Sequence, residues 1–424
     1  MAGLVCFACN GCLSIEHTLQ QRTLSIEHGL LGDQSQATFS FTEGDKQACI
    51  CAQNKNLLIS LPDDVLFKIL LNHSLSTEDI HRASVTCRRL YYDTIRSAKF
   101  VNLHLRQTDE YGLVFRYGPN RCCRHPFRRA VFVSMKHGRV TVSEYTACKF
   151  RYILKTSCNG LILEYTSCNP LPIVHVANPI TGPPFKLPPL PENADGVSCS
   201  VGYAEASKAY KVALSYSYGR RDPRWAVFTV GVDSSWRNLA NKSSTLGGAM
   251  LVTEGFVHSI SISRDTVVTL NVETEVMTTM RAPMPEDAKC WFSKEYLSTG
   301  KSLTLVVEVE DRVFRVWEMV CEDYAYCCYY WKEWEREIVL LGTNVRYLSS
   351  IQPVGWLQQM EVLVFKGSLR NDPCRVFYVV IATGEIGWID PISRNKKGRL
   401  GGEDYTIRGS VFPHKNTFVN PLTV

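Results

Sequence analysis

The sequence predicts a mainly β protein, with a small α-helical module at residues 56–100 followed by a β-propeller over 101–424. Three observations predict it. Apolar residues recur at steps of three and four between Leu61 and Ile95, the spacing of a helix face. Beyond Phe100, short β-rich runs alternate with Gly, Pro, Asn and Asp to the end of the chain, with no long amphipathic helix between them. Within that region a Gly-led phrase and a Thr-bearing turn recur at about twice the length of one propeller blade.

Residues 1–55 carry no sustained period. LSIEH at 13–17 recurs at 24–28, and a step of eleven residues would place both copies on one helix face. The Gly-, Gln- and Ser-rich flanks point instead to a disordered tail. Cys6, Cys9 and Cys12 form a C-x2-C-x2-C run, with Cys49, Cys51, His17 and His28 nearby. Zinc needs four ligands in a closed tetrahedron, and no second C-x2-C pair follows, so no metal is expected. An exposed, oxidisable cluster or S-acylation are the other readings of these thiols.

The module at 56–100 opens with LPDDVLFKIL at 61–70. Pro62 suits a first helical turn, and Asp63 and Asp64 suit the positive end of the helix dipole. Val65, Leu66, Ile69 and Leu70 share a face. A second start at Thr77 leads to Ile80, Ala83, Cys87, Leu90 and Ile95. Short helices with separate apolar stripes bury them poorly alone, so a partner is expected to cover part of this surface.

The β region carries ten strand-like runs, at 113–117, 130–134, 161–165, 210–214, 226–230, 256–260, 303–307, 313–317, 362–365 and 376–380. NGLIL at 159–163, EGFVH at 254–258 and VGWL at 354–357 place Gly160, Gly255 and Gly355 at separations of 95 and 100 residues. Thr-bearing turns follow at 178–182, 272–275 and 381–384. Half the separation is about 47–50 residues, the period of a kelch-like blade, giving about six blades or at most seven. The Pro-rich stretches 187–191 and 282–285 fall where inter-blade connections belong.

Bulk properties narrow the function. A net charge of +6 from 47 basic and 41 acidic residues in 424 is too dilute for a nucleic-acid face. No apolar run of membrane-spanning length occurs, and no Lys or Arg precedes Arg22 to form a secretory n-region. Seventeen cysteines, an odd number, include Cys158, Cys168 and Cys199 inside apolar runs, where a reduced thiol acts as a small hydrophobe. A cytoplasmic or nuclear protein follows. The histidines from His104 onward form no ligand pattern, and no Ser-His-Asp set, P-loop or credible carboxylate pair occurs, so neither cofactor nor catalysis is expected. Arg121, Arg124, Arg128 and Arg129 form the densest basic run. They offer a grip for an acidic or phosphorylated target, and also suit a solvated loop between strands.

LPDDVLFKIL at 61–70, followed by DIHRASVTCRRL at 79–90 and Ile95, resembles the F-box. The region behind it is similar to the F-box-associated or kelch-like propeller of plant F-box proteins. SCNGLI at 157–162, ANPITG at 177–182 with LPP at 187–189, PVGW at 353–356 and FPHKN at 412–416 carry that likeness. The resemblance implies a substrate receptor of a Skp–cullin–F-box ubiquitin ligase. The F-box would dock a Skp-family adaptor, and through it a cullin, while the propeller holds a protein target. By match to the family, Leu61, Pro62, Val65, Ile69, Leu70, Ile80, Cys87, Leu90 and Ile95 would meet the adaptor. Departures are a longer linker at 71–78, His81 for an aliphatic residue, Thr86 before Cys87, and Leu90 for an aromatic. The alternatives are a propeller interaction protein without ligase coupling, or a glycan-binding or oxidase propeller.

Overall fold

The computed structural model describes residues 61–71, 75–85, 89–108, 111–389, 405–407 and 411–419, less 120–128, 137, 146–152, 167–171, 182–183, 192–193, 219–221, 240–246, 284–292, 324–327, 341–344 and 370–371. The 1–55 tail, its repeat and its cysteine cluster lie outside them. The chain divides into two compact units, Met1–Asp109 and Glu110–Val424.

In the first unit, helix α1 (Asp63–Leu70) follows Pro62, which stands at the N-cap. Helix α2 (Thr77–Ser84) is capped one residue earlier than its sequence suggests: Ser76 Oγ accepts from the Asp79 N–H at 3.1 Å. Such a cap satisfies an otherwise orphaned amide. A π-helical turn spans Arg89–Thr94. Helix α3 (Ala98–Gln107) is capped by Ser97 Oγ, which accepts from the Phe100 N–H at 3.2 Å. The switch to strands expected at residue 100 therefore comes after Gln107, and His104 is helical. The core gathers Leu66, Phe67, Ile69, Leu70, Ile80, Leu90, Ile95 and Phe100, with the Phe67 and Phe100 rings 5.4 Å apart.

The second unit is a propeller of six antiparallel sheets, which settles the blade count at six. Blade 1 begins with β1 (Tyr111–Pro119), β2 (Arg129–Lys136) and β3 (Arg139–Glu144). Blade 2 is β4 (Ile153–Cys158), β5 (Leu161–Thr166), β6 (Ile173–Ala177) and β7 (Phe185–Lys186). Blade 3 is β8 (Ala194–Ala204), β9 (Ala209–Tyr218), β10 (Asp222–Thr229) and β11 (Arg237–Asn238). Blade 4 is β12 (Gly247–Thr253), β13 (Phe256–Ser261), β14 (Thr266–Asn271) and β15 (Met277–Arg281). Blade 5 is β16 (Ser293–Ser298), β17 (Leu303–Glu310), β18 (Val313–Asp323) and β19 (Cys328–Glu333), with β20 (Ile338–Val339) also on β18. Blade 6 is β21 (Ser350–Leu357), β22 (Val362–Leu369), β23 (Asp372–Val380) and β24 (Ile386–Ile389). The chain then returns to blade 1 through β25 (Tyr405–Ile407) and β26 (Phe412–Lys415), both antiparallel to β1.

The inner strands β26, β4, β8, β12, β16 and β21 each contact the next around a closed ring. Closure leaves no inner sheet edge open. Between blades 5 and 6 the core is broad and apolar, holding Phe314, Trp356, Leu363, Phe365 and Phe377, with Phe365 and Phe377 stacked at 5.3 Å.

The Thr-bearing turns at 178–182, 272–275 and 381–384 join the third strand to the fourth in blades 2, 4 and 6. They are equivalent positions in alternate blades, as are Gly160 and Gly255, whose separation therefore spans two blades. The glycines are not all equivalent. Gly160 and Gly255 sit in turns between first and second strands, at positive φ. Gly355 lies inside β21 at a register shift, where a Cβ would come within 2.6 Å of Leu113.

Candidate functional site

Two surfaces bear on function, one in each unit. In the helical unit, Ile69, Leu70, Ile80, Leu90 and Ile95 are buried and form its core. Leu61 and Val65 are half-buried, and Pro62 is exposed. Cys87 lies outside the described residues. Of the residues matched to adaptor docking, Leu61, Pro62 and Val65 therefore reach solvent, and the other described ones are buried. Two exposed apolar side chains went unnoticed in the sequence: Val85, 63% exposed, and Tyr92, 57% exposed. Val85 ends α2 and Tyr92 sits in the π-helical turn, off the stripes that a regular 3.6 period picks out. Arg96 stacks over the Tyr91 ring at 4.4 Å. Burial, and then the Arg96 charge, hold His81 below the usual imidazole range.

The basic run at 121–128 lies outside the described residues, as does the Arg129 side chain. Its flanks, Pro119 and Arg129, stand at the end of blade 1 opposite the Tyr111–Lys415 pair.

That Tyr111–Lys415 end of the ring holds a cavity of about 180 Å³. Turns between first and second strands build its wall, so residues distant in sequence converge. Blade 1 supplies Tyr111, His414 and Lys415, blade 3 supplies Tyr203 and Glu205, and blade 4 supplies Glu254. Lys415 is 8% exposed, and its ammonium lies 4.9 Å from the centre of the Tyr111 ring, within cation–π range. Glu205 pairs with Lys208 at the exposed rim. Burial pushes the Cys158 thiol up to about 12, with the Glu254 charge adding to the rise. A thiol held protonated is a poor nucleophile. Burial likewise holds His414 down to about 3, so the imidazole is neutral. Among the described residues no group of His, Cys, Asp and Glu is arranged to hold a metal ion.

The segment carrying β26 also fastens the ring. Ser157 Oγ hydrogen-bonds His414 Nδ1 at 2.6 Å, and Tyr145 Oη donates to Asn416 Oδ1 at 2.7 Å. Asn178 Nδ2 donates to the carbonyls of Thr417 and Val419 at 2.9 and 2.7 Å. Thr181 Oγ1 donates to the Val419 carbonyl at 3.0 Å, and Thr417 Oγ1 to the Asn159 carbonyl at 2.9 Å. The phrases SCNGLI, ANPITG and FPHKN, scattered along the sequence, thus meet in one buried polar joint. Joint and cavity share His414, so ring closure also assembles the cavity wall.

No match was found among curated proteins. Among solved structures the chain is similar to a prolyl endopeptidase (10% identity, TM-score 0.37). It is also similar to a post-proline cleaving enzyme from Rickettsia typhi (12%, 0.35) and to TolB from Acinetobacter baumannii (8%, 0.41). These likenesses cover 66%, 69% and 78% of this chain. The chain spans 42% and 46% of the two peptidases and 72% of TolB. At that level nothing of those proteins' activities transfers. The sequence model of the F-box associated beta propeller domain matches residues 121–387, well over half the chain, and its span falls within the six-bladed ring. This chain is a member of the F-box associated beta propeller family.

Proposed function

We propose that the chain is the substrate-recognition subunit of a Skp–cullin–F-box ubiquitin ligase, its helical unit docking a Skp-family adaptor and its propeller holding the protein target. The observation that carries the reading is the order of the parts: a helical unit opening on Leu61-Pro62-Asp63-Asp64, then an F-box associated propeller. On this reading the chain contributes proximity and orientation, not an acid, base or nucleophile. Cys158, Cys199 and Cys321, none of them in a disulfide, suit the reducing cytoplasm or nucleus, where we place it.

A binding assay with the full chain and a purified Skp adaptor tests the coupling. We expect the wild type to bind. Leu61→Asp with Val65→Asp puts two charges on half-exposed docking positions and should weaken binding by tenfold or more, with the thermal midpoint of the propeller unchanged. Failure of the wild type to bind, or equal binding by the double variant, would sink the ligase reading and leave a propeller interaction protein.

A further inference from the structure

The cavity at the Tyr111–Lys415 end of the ring has a polarity that narrows what it can receive. Its positive charge, Lys415, sits on blade 1, and its negative charges, Glu205 and Glu254, sit on blades 3 and 4. The other titratable groups against it are electrically silent near neutral pH, because His414 is held down to about 3 and Cys158 up to about 12. Among the described lining residues the fixed charges are therefore Lys415, Glu205 and Glu254, with Lys208 paired to Glu205 at the rim. Glu254 is exposed and makes no hydrogen bond or ion pair among the described residues. Among the described residues Glu205 pairs with the exposed Lys208, a contact worth little in water. Both carboxylates are open to an incoming cation, and Tyr203 adds an aromatic ring to the lining. A volume of about 180 Å³ is smaller than the pockets that enclose cofactors or drug-sized ligands. It suits one or two side chains.

We propose that this mouth is a subsite for a mixed-charge segment of the target, with a basic side chain set against Glu254 and Glu205 and an acidic one towards Lys415. The proposal rests on the reading of the propeller as the target-binding unit, and names the chemistry of its ligand. Opposite charges on opposite walls reject a segment of one sign as well as accept a paired one, since like charges brought together cost affinity.

The probes are fluorescein-labelled Gly/Ser peptides carrying one Arg and one Asp at separations of zero, one or two residues. Arg-only, Asp-only and uncharged peptides are the comparison, read by fluorescence anisotropy on the full chain. At least one mixed peptide should bind roughly tenfold more tightly than the uncharged one, the scale of one charge-assisted hydrogen bond. Glu254→Gln should bring that peptide down to the level at which the wild type binds the Asp-only peptide. Lys415→Gln should do the converse, with the thermal midpoint recorded alongside. Equal binding of all peptides, binding of none, or indifference to Glu254→Gln would each overturn the proposal. The ligase reading stands or falls separately, on whether the wild-type full chain binds the Skp adaptor.

Discussion

Blades 5 and 6 meet across an apolar core of Phe314, Phe365, Phe377 and their neighbours. The described inner-strand contacts there include one buried hydrogen bond, from Trp356 Nε1 to Thr304 Oγ1 at 2.8 Å. Blades 1 and 2 have a smaller apolar cluster around Phe132, Leu154 and Phe412, and are fastened by the polar joint of Ser157, Asn178, Thr181 and the 414–419 segment. The two junctions do different jobs. Blades 5 and 6 are adjacent in sequence, so their pairing needs only area, which is non-directional. Blades 1 and 2 must receive a segment some 250 residues downstream of β4 in one register, and hydrogen bonds supply direction that apolar contact lacks.

If that division holds, damage to the two junctions should look different. Phe377→Ala opens a cavity in the blade 5–6 core and should cost about 3–5 kcal/mol. Urea unfolding should register it as a lower midpoint at unchanged m-value. Asn178→Ala removes a donor from the Thr417 and Val419 carbonyls, the latter keeping Thr181 Oγ1, and removes the acceptor of the Ile180 N–H, at about 2–3 kcal/mol in all. Its signature should be local: faster amide exchange in 412–419 while β13 and β14 keep their protection. A uniform rise in exchange across all blades would erase the distinction between the junctions.

A smaller effect concerns pH. His414, in the joint, and His258, held between Thr253 Oγ1 and Thr269 Oγ1 at 2.8 and 2.9 Å, are both lowered by burial to about 3. In the unfolded chain each titrates near its ordinary value of about 6.5. Between those limits the unfolded state binds protons that the native state refuses, so stability falls as pH drops through this window. The urea midpoint should be lower at pH about 5 than at pH about 7.5. His258→Gln should shrink the difference, and an unaltered difference would remove His258 from the explanation.

The ten runs legible in the sequence are all second or third strands of their blades. β5 and β13, for instance, are buried along their whole length and therefore read as continuous apolar runs. The inner strands were less legible because they mix apolar residues with hydroxyls and glycine that serve neighbouring blades. Thr156 on β4 accepts from Ser200 at 3.1 Å, and Ser198 on β8 donates to the Gly248 carbonyl at 2.5 Å. The outer strands β7, β11 and β20 are two residues long, too short to carry a period. On the helical unit, Pro62 could be placed by its neighbours, whereas Val85 and Tyr92 depend on how an irregular segment turns after α2. The cavity had no sequence signature, because its walls come from turns of different blades. Its closing residues were visible only as family phrases, whose common location is a fact of the fold.

Gly160 tests the joint most directly. It sits at φ +89°, and a Cβ there would overlap Thr417 Oγ1 and crowd the Lys415 carbonyl, so Gly160→Val both strains the turn and displaces the closing segment. Hydrogen exchange read by mass spectrometry on the wild type and this variant would follow 412–419 and β1 beside β13 and β14. We predict that 412–419 and the Tyr111–Val114 edge of β1 lose protection while blade 4 retains it. Protection of 412–419 equal to the wild type would contradict the claim that this polar joint closes the ring.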